Sequence, residues 1–201
     1  MGELEDIKPR RVWSYFEEIS RIPRLSKNEG RIREYLLEFA KKHNLQARED
    51  SVGNILITRE AAPGKEKVAT VVLQSHLDMV GEKNASHPHN WETDPIIPVI
   101  DGKWVTASGT TLGADDGIGI AAQMAVLTDS YLQCGRIECL FTVDEESGMT
   151  GAINLQPDFF TGRILLNLDS EDEGILFIGC AGGIDTRSEE HTSELQSRQS
   201  I

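Results

Sequence analysis

The segment Gly109-Thr110-Thr111-Leu112-Gly113-Ala114-Asp115-Asp116-Gly117-Ile118-Gly119-Ile120 sets adjacent carboxylates in a glycine-rich turn, just before an apolar run with helical spacing. Its glycines open backbone angles closed to other residues, so Asp115 can be aimed inward rather than left in solvent. An aimed carboxylate calls for a cation. Further donors stand at the ends of apolar, β-branched runs: His76-Leu77-Asp78 after 68–73, Glu145-Glu146 after 137–143, and Asp169 after 163–168. Open α/β sheets bind ligands at the carboxyl ends of their strands, so this spacing gathers a histidine and several carboxylates, without a thiolate, in one place. Such a donor set suits hard or borderline divalent ions such as zinc, manganese or cobalt. Carboxylates at close range repel one another unless cations lie between them, which favours a pair of ions bridged by Asp115 over a single ion. Glu145 and Glu146 are neighbours and point apart at a strand end, so one can bind metal while the other works on water. Ions that acidify water and polarise a carbonyl complete a set suited to hydrolysing an amide bond.

The elements that must position these groups alternate strand and helix, which predicts an α/β fold with a largely parallel sheet. Val12, Trp13, Phe16 and Ile19 recur at helical spacing over 9–20. Ser26-Lys27-Asn28-Glu29 has the form of a capping box, and it precedes Ile32, Tyr35, Leu36 and Phe39 on one face of a second helix that runs to about His43. Strands are predicted over 55–58, over 68–73 with both faces buried, over 137–143, over 163–168 as another buried strand, and over 175–178. The proline-containing stretch 94–101 reads as a loop with an edge strand, and 102–106 as a further short strand. Helices are predicted over 116–127 and from about Thr150. Asp116, near a helix N-terminus, is expected to meet a favourable dipole and to cap or support rather than react.

The chain has 201 residues, 39% of them hydrophobic, which is enough for one globular domain with a buried core. Its net charge of -13 opposes nucleic-acid phosphates and anionic lipid. Cys134, Cys139 and Cys180 have no Cys-x-x-Cys spacing, so neither a disulfide framework nor a thiolate zinc site is expected. With no signal-like start and no apolar run long enough for a bilayer, the expectation is a soluble cytoplasmic protein without nucleic-acid or membrane partners. His87 and His89 sit in a polar loop and read as surface residues. Gly182-Gly183 lacks the lysine and hydroxyl of a phosphate loop. Asp169 carries the weakest local signal, because Glu171, Asp172 and Glu173 crowd the same stretch. From about Arg187 the pattern collapses into a polar run that looks like translated adapter sequence, so the domain is expected over 1–185 and a disordered tail over 186–201.

The stretches 72–80, 111–117, 144–149 and 167–171 together resemble the Xaa-His dipeptidases, also called aminoacylhistidine or cytosolic non-specific dipeptidases, of the di-metal aminopeptidase and carboxypeptidase clan. The resemblance runs from the N-terminus to about Asp185. It implies the N-terminal part of a three-layer catalytic domain, with a largely parallel mixed sheet flanked by helices, that stops before a lid and dimerisation domain and before a final histidine ligand. It implies His76 and Asp169 as ligands on separate divalent ions, zinc first with cobalt or manganese as alternatives, Asp115 as their bridge and Glu146 as a terminal ligand. Glu145 would be the general base, Asp78 would orient the His76 imidazole, and the Asp115–Asp116 peptide would be cis. The implied substrate is a dipeptide, the implied full-length form a homodimer through the lid, and the chain by itself would be weakly active or inactive. The competing readings are a deacylase or aminopeptidase of the same clan, and a non-catalytic metal-binding fragment.

Overall fold

The computed structural model describes Leu4, residues 6–170 and residues 174–179. Of these, the residues up to 170 belong to one compact unit and 174–179 to a second. In the first, the helices α1 (Arg10–Ser20) and α2 (Gly30–Lys42) precede the strands β1 (Gln46–Glu49), β2 (Ile55–Arg59) and β3 (Val71–His76). The hairpin strands β4 (Pro98–Asp101) and β5 (Trp104–Ala107) then lead to α3 (Ala114–Leu127) and β6 (Ile137–Thr142). The short helices α4 (Glu145–Gly148) and α5 (Thr150–Ile153) and the strand β7 (Ile164–Asn167) complete the unit.

The main sheet is mixed, in the order β1-β2-β6-β3-β7. β1 and β2 pair antiparallel, as do β2 and β6, whereas β6 with β3 and β3 with β7 are parallel. The parallel half therefore ends its strands together, with His76 opposite Thr142 and Gln74 opposite Asn167. Period-two alternation divides the side chains between the two faces. Ile55, Ile57, Cys139 and Phe141 join Phe16, Ile19, Ile32, Leu36, Ile120 and Met124 of the helices in the main core, each burial worth about 1.5–3 kcal/mol for a large side chain. The opposite face carries a smaller cluster of Leu56, Val72, Leu140 and Phe159. Among the described residues that face is covered by the segment after α5 rather than by a long helix.

Several expectations need correction. β3 begins at Val71 and reaches His76, while Val68, expected inside it, is 50% exposed. β7 pairs with β3 alone among the described residues, so Ile164, Leu165 and Leu166 are 43–47% exposed instead of buried on both faces. The stretch Ile175–Ile178 is not a strand, and its side chains are exposed. Among the described residues it pairs with no strand. β1 was not anticipated, because Gln46-Ala47-Arg48-Glu49 is polar and exposed at the sheet margin. The helix expected from Thr150 is a single turn, preceded by the unanticipated turn α4. Cys134 and Cys139 are free thiols. Cys180, Gly182-Gly183, Glu171, Asp172, Glu173 and the tail 186–201 lie outside the described residues, and among those described no helix is long and apolar enough to cross a membrane.

Candidate metal centre

His76, Glu145, Glu146 and Asp169 stand at or just beyond the ends of strands, and Asp115 where the glycine turn enters α3. His76 ends β3 and is buried to 1% exposure. Its Nε2 lies 2.9 Å from Asp115 Oδ1 and 3.8 Å from Asp169 Oδ2, and its Nδ1 lies 3.3 Å from Asp78 Oδ1. Asp115 arrives from the glycine turn, where Gly113 takes a φ of 69° and Asp115 and Asp116 depart from helical angles at the start of α3. The Asp115–Asp116 peptide is cis, as the resemblance implied. Donor atoms of His76, Asp115 and Glu146 all fall within 4.8 Å of one another, and so do those of His76, Glu145 and Asp169. His76 is thus common to both groups, while the Asp115 side chain, 64% exposed, faces the open side of the centre.

Asp78 is buried and does more than face the imidazole. It accepts the backbone N–H groups of Glu145 and Glu146 at 3.0 and 3.1 Å and the Ser26 hydroxyl at 2.8 Å. The carboxylate after β3 therefore sets the turn after β6. Behind it, Glu29 Oε1 accepts the backbone N–H of Asp144 at 3.0 Å, and Asp144 accepts the hydroxyls of Ser147 and Thr150. The capping box consequently does not form: Glu29 stands at the start of α2 without a side-chain cap bond, and Ser26 serves Asp78.

The charges are strongly coupled. Burial works against a charged His76, but Asp78 and Asp115 outweigh it and raise the imidazole pKa to about 9. Burial likewise opposes ionisation of Asp78, yet the adjacent His76 imidazole and the bonds from Glu145, Ser26 and Glu146 hold the carboxyl below the usual range. Glu145 is pushed up by burial and by the Asp169, Asp78 and Asp115 charges, with His76 opposing. Glu146 is pushed up by burial and by Asp115, Glu145 and Asp78, again with His76 opposing. The dipole expected to hold Asp116 ionised loses to burial and the Asp169 charge, which raise it to about 7. Asp116 Oδ1 nevertheless accepts the Gly119 N–H at 3.1 Å, the capping contact expected of it.

These residues fit a divalent cation. The donor set is one imidazole with carboxylates, and among the described residues Asp115 forms its ion pair with His76. A proton joins His76 to Asp115 at 2.9 Å, and a cation in its place would be held by the same two atoms. His87 and His89 lie apart from this cluster, their rings stacked with centroids 6.2 Å apart and His89 against Trp91.

No family model matches the chain. It is 48% identical over 191 residues to the cytosol non-specific dipeptidase of Escherichia coli K12, an alignment that takes in 95% of this chain and 39% of that protein. The chain is similar to part of a dipeptidase. The dipeptidase likeness extends to structure: an aminoacylhistidine dipeptidase from Vibrio alginolyticus superposes with a TM-score of 0.84 at 47% identity, over 86% of this chain and 35% of that one. A tripeptidase from Staphylococcus aureus matches with a TM-score of 0.70 at 25% identity, over 83% and 44%. These relatives are peptide hydrolases by name, the α/β fold is shared with them, and the chain spans less than half the length of each.

Sequence reasoning missed Arg24, Ser26, Glu29, Asn54 and Asp144, all buried or in the network behind the donors. Asn54 is fully buried, accepting the Val143 N–H and donating to the Gly151 carbonyl, so that it aims the chain into and out of the Glu145-Glu146 turn. The polar residue Arg24 within Ile22-Pro23-Arg24-Leu25 was the one available signal, since a charge set among apolar neighbours must find partners.

Proposed function

We propose that this chain carries a dinuclear metal centre of a dipeptidase, with His76, Asp115, Glu146 and Asp169 as ligands, Asp115 as the bridge and Glu145 as general base. The observation that carries the reading is the gathering of His76 with Asp115 and Glu146 on one side and with Glu145 and Asp169 on the other, every group within 4.8 Å. Zinc is the first choice of ion, with cobalt or manganese next. Held there, divalent ions would supply Lewis acidity toward water and toward the scissile carbonyl.

The remaining work falls to side chains. Glu145 accepts the proton of the attacking water and returns it to the leaving amine, a role helped by neighbours that already raise its proton affinity. Asp78 Oδ1, 3.3 Å from Nδ1, orients the His76 ring by charge and leaves Nε2 to face the centre. Because Asp78 also holds the backbone at Glu145 and Glu146, the base and its neighbouring ligand keep one register relative to His76. The substrate class we assign is the dipeptide, Xaa-His among others, with a longer form of the protein adding the remaining ligand and substrate contacts and a dimer interface. On that basis the 201-residue chain binds metal but turns over dipeptides weakly.

Calorimetric titration of the chain with zinc or cobalt, followed by a panel of dipeptides, tripeptides and N-acyl amino acids, tests this. Binding retained in Glu145→Gln and lost in Asp115→Ala, with whatever hydrolysis the chain shows abolished in both, is expected. Preference for a tripeptide or an acylated amino acid would move the assignment to an aminopeptidase or deacylase. Binding without any hydrolysis in a full-length form would leave a non-catalytic metal module.

A further inference from the structure

Arg24 is buried to 2% exposure in the loop between α1 and α2, and its charge interacts with those of Asp78, Asp116 and Asp115. Its Nη1 donates to the carbonyl oxygens of Leu77 and Asp78, both at 2.9 Å, and its Nη2 donates to the carbonyl of Gly113. One guanidinium thus joins the end of β3, which carries His76 and Asp78, to the glycine turn that carries Asp115. The backbone around it adds a second tie: Arg24 accepts the Met79 N–H at 3.1 Å, and Leu25 and Met79 form a parallel bridge.

The glycine turn is shaped to receive this side chain. A Cβ added at Gly113 would lie 2.8 Å from Arg24 Nη2, and one added at Gly117 would lie 2.7 Å from the same nitrogen. Met79 also borders the space a Cβ at Gly113 would enter, and Phe16 the space one at Gly117 would enter. The glycines flanking Asp115-Asp116 therefore serve two purposes: one releases the backbone at Gly113, and both make room for a planar cation.

We propose that Arg24 is a positioning residue that locks the end of β3 to the glycine turn, so that His76 Nε2 and Asp115 Oδ1 are set at bonding distance for a shared cation. The inference rests on the metal-centre reading above and extends it to a residue that touches neither ligand side chain. A planar fork with donors on two nitrogens is required to span carbonyls on separate segments; an ammonium keeps the charge but cannot reproduce the span.

Cobalt titration of the full 201-residue chain, followed by visible absorption and calorimetry, tests it in Arg24→Lys and Gly117→Ala. Leu36→Ala, in the helix core, serves as a control for lost stability alone. Both test variants are expected to lose about 10- to 100-fold in cobalt affinity and to change the ligand-field bands, with Leu36→Ala retaining wild-type affinity and spectrum. Wild-type affinity and bands in a folded Arg24→Lys overturn the inference while leaving the metal centre standing. If wild type itself takes up no cobalt, the metal-centre reading fails and carries this inference with it. If neither test variant folds, amide exchange of wild type decides: joint gain of protection at 77–79 and 113–116 on adding cobalt supports the lock, and independent exchange of the two segments overturns it.

Discussion

Asp78 Oδ1 accepts the backbone N–H of Glu145 at 3.0 Å, which ties the turn after β6 to the carboxylate that ends the His76-Leu77-Asp78 run. The pair links strands that are neighbours in the sheet but far apart in sequence. Removing the charge should therefore disturb fold and site together. Asp78→Asn is expected to cost about 2–4 kcal/mol, because an amide cannot accept everything that the buried carboxylate accepts. Urea denaturation in the presence of a chelator measures this, and a loss below about 0.5 kcal/mol would contradict it.

The metal-free chain should become less stable as pH rises. His76 is raised from 6.5 to about 9, so its contribution is full below the unfolded value and is lost as pH climbs through the folded one. Asp116, raised from 3.8 to about 7, adds a penalty that grows as pH rises across that interval. Asp78 acts in the opposite sense, its contribution being lost on strong acidification. With chelator, the urea midpoint is expected to fall between about pH 5 and about pH 9, and added zinc should flatten the fall because the ion replaces the protons. A midpoint that rises over this interval in chelator would be the contrary result.

Glu145 and Glu146 are adjacent yet should separate cleanly. Glu146→Ala removes a proposed ligand and is expected to weaken zinc binding by about tenfold or more, while Glu145→Gln should stay within about threefold of wild type. Calorimetry reads both. The reverse ranking would exchange the roles of the two glutamates.

β7 leaves Ile164, Leu165 and Leu166 substantially exposed beside a single partner strand among the described residues. Apolar, underpaired strands recruit other strands. The chain should accordingly show concentration-dependent association in light scattering, reduced by Leu165→Lys, and scattering unchanged by that substitution would place the association elsewhere.

The clustered side chains were legible in the sequence because chemistry leaves a local mark: His76, Asp115, Glu145, Glu146 and Asp169, the proposed ligands and base, each follow a recognisable strand or glycine turn. The strands β2, β3 and β6 were legible for a related reason, since burial demands unbroken or alternating apolar residues. What stayed hidden depends on long-range pairing. Nothing in Gln46-Ala47-Arg48-Glu49 announces a strand, and the exposure of β7 depends on its place in the sheet, not on its composition. Ser26 was assigned to a helix cap because the local rule sees four residues at a time, whereas its hydroxyl bonds a carboxylate 52 positions away. Arg24 was overlooked for the same reason, its partners being carbonyl groups that any residue could supply.

Anomalous diffraction from crystals of the chain grown with zinc tests the central claim most directly. The account predicts a zinc peak about 2.0–2.2 Å from His76 Nε2 and a carboxylate oxygen of Asp115, with a second peak between Asp115 and the carboxylates of its neighbours. A map with no peak at His76, or with zinc held only by carboxylates elsewhere on the acidic surface, would contradict it.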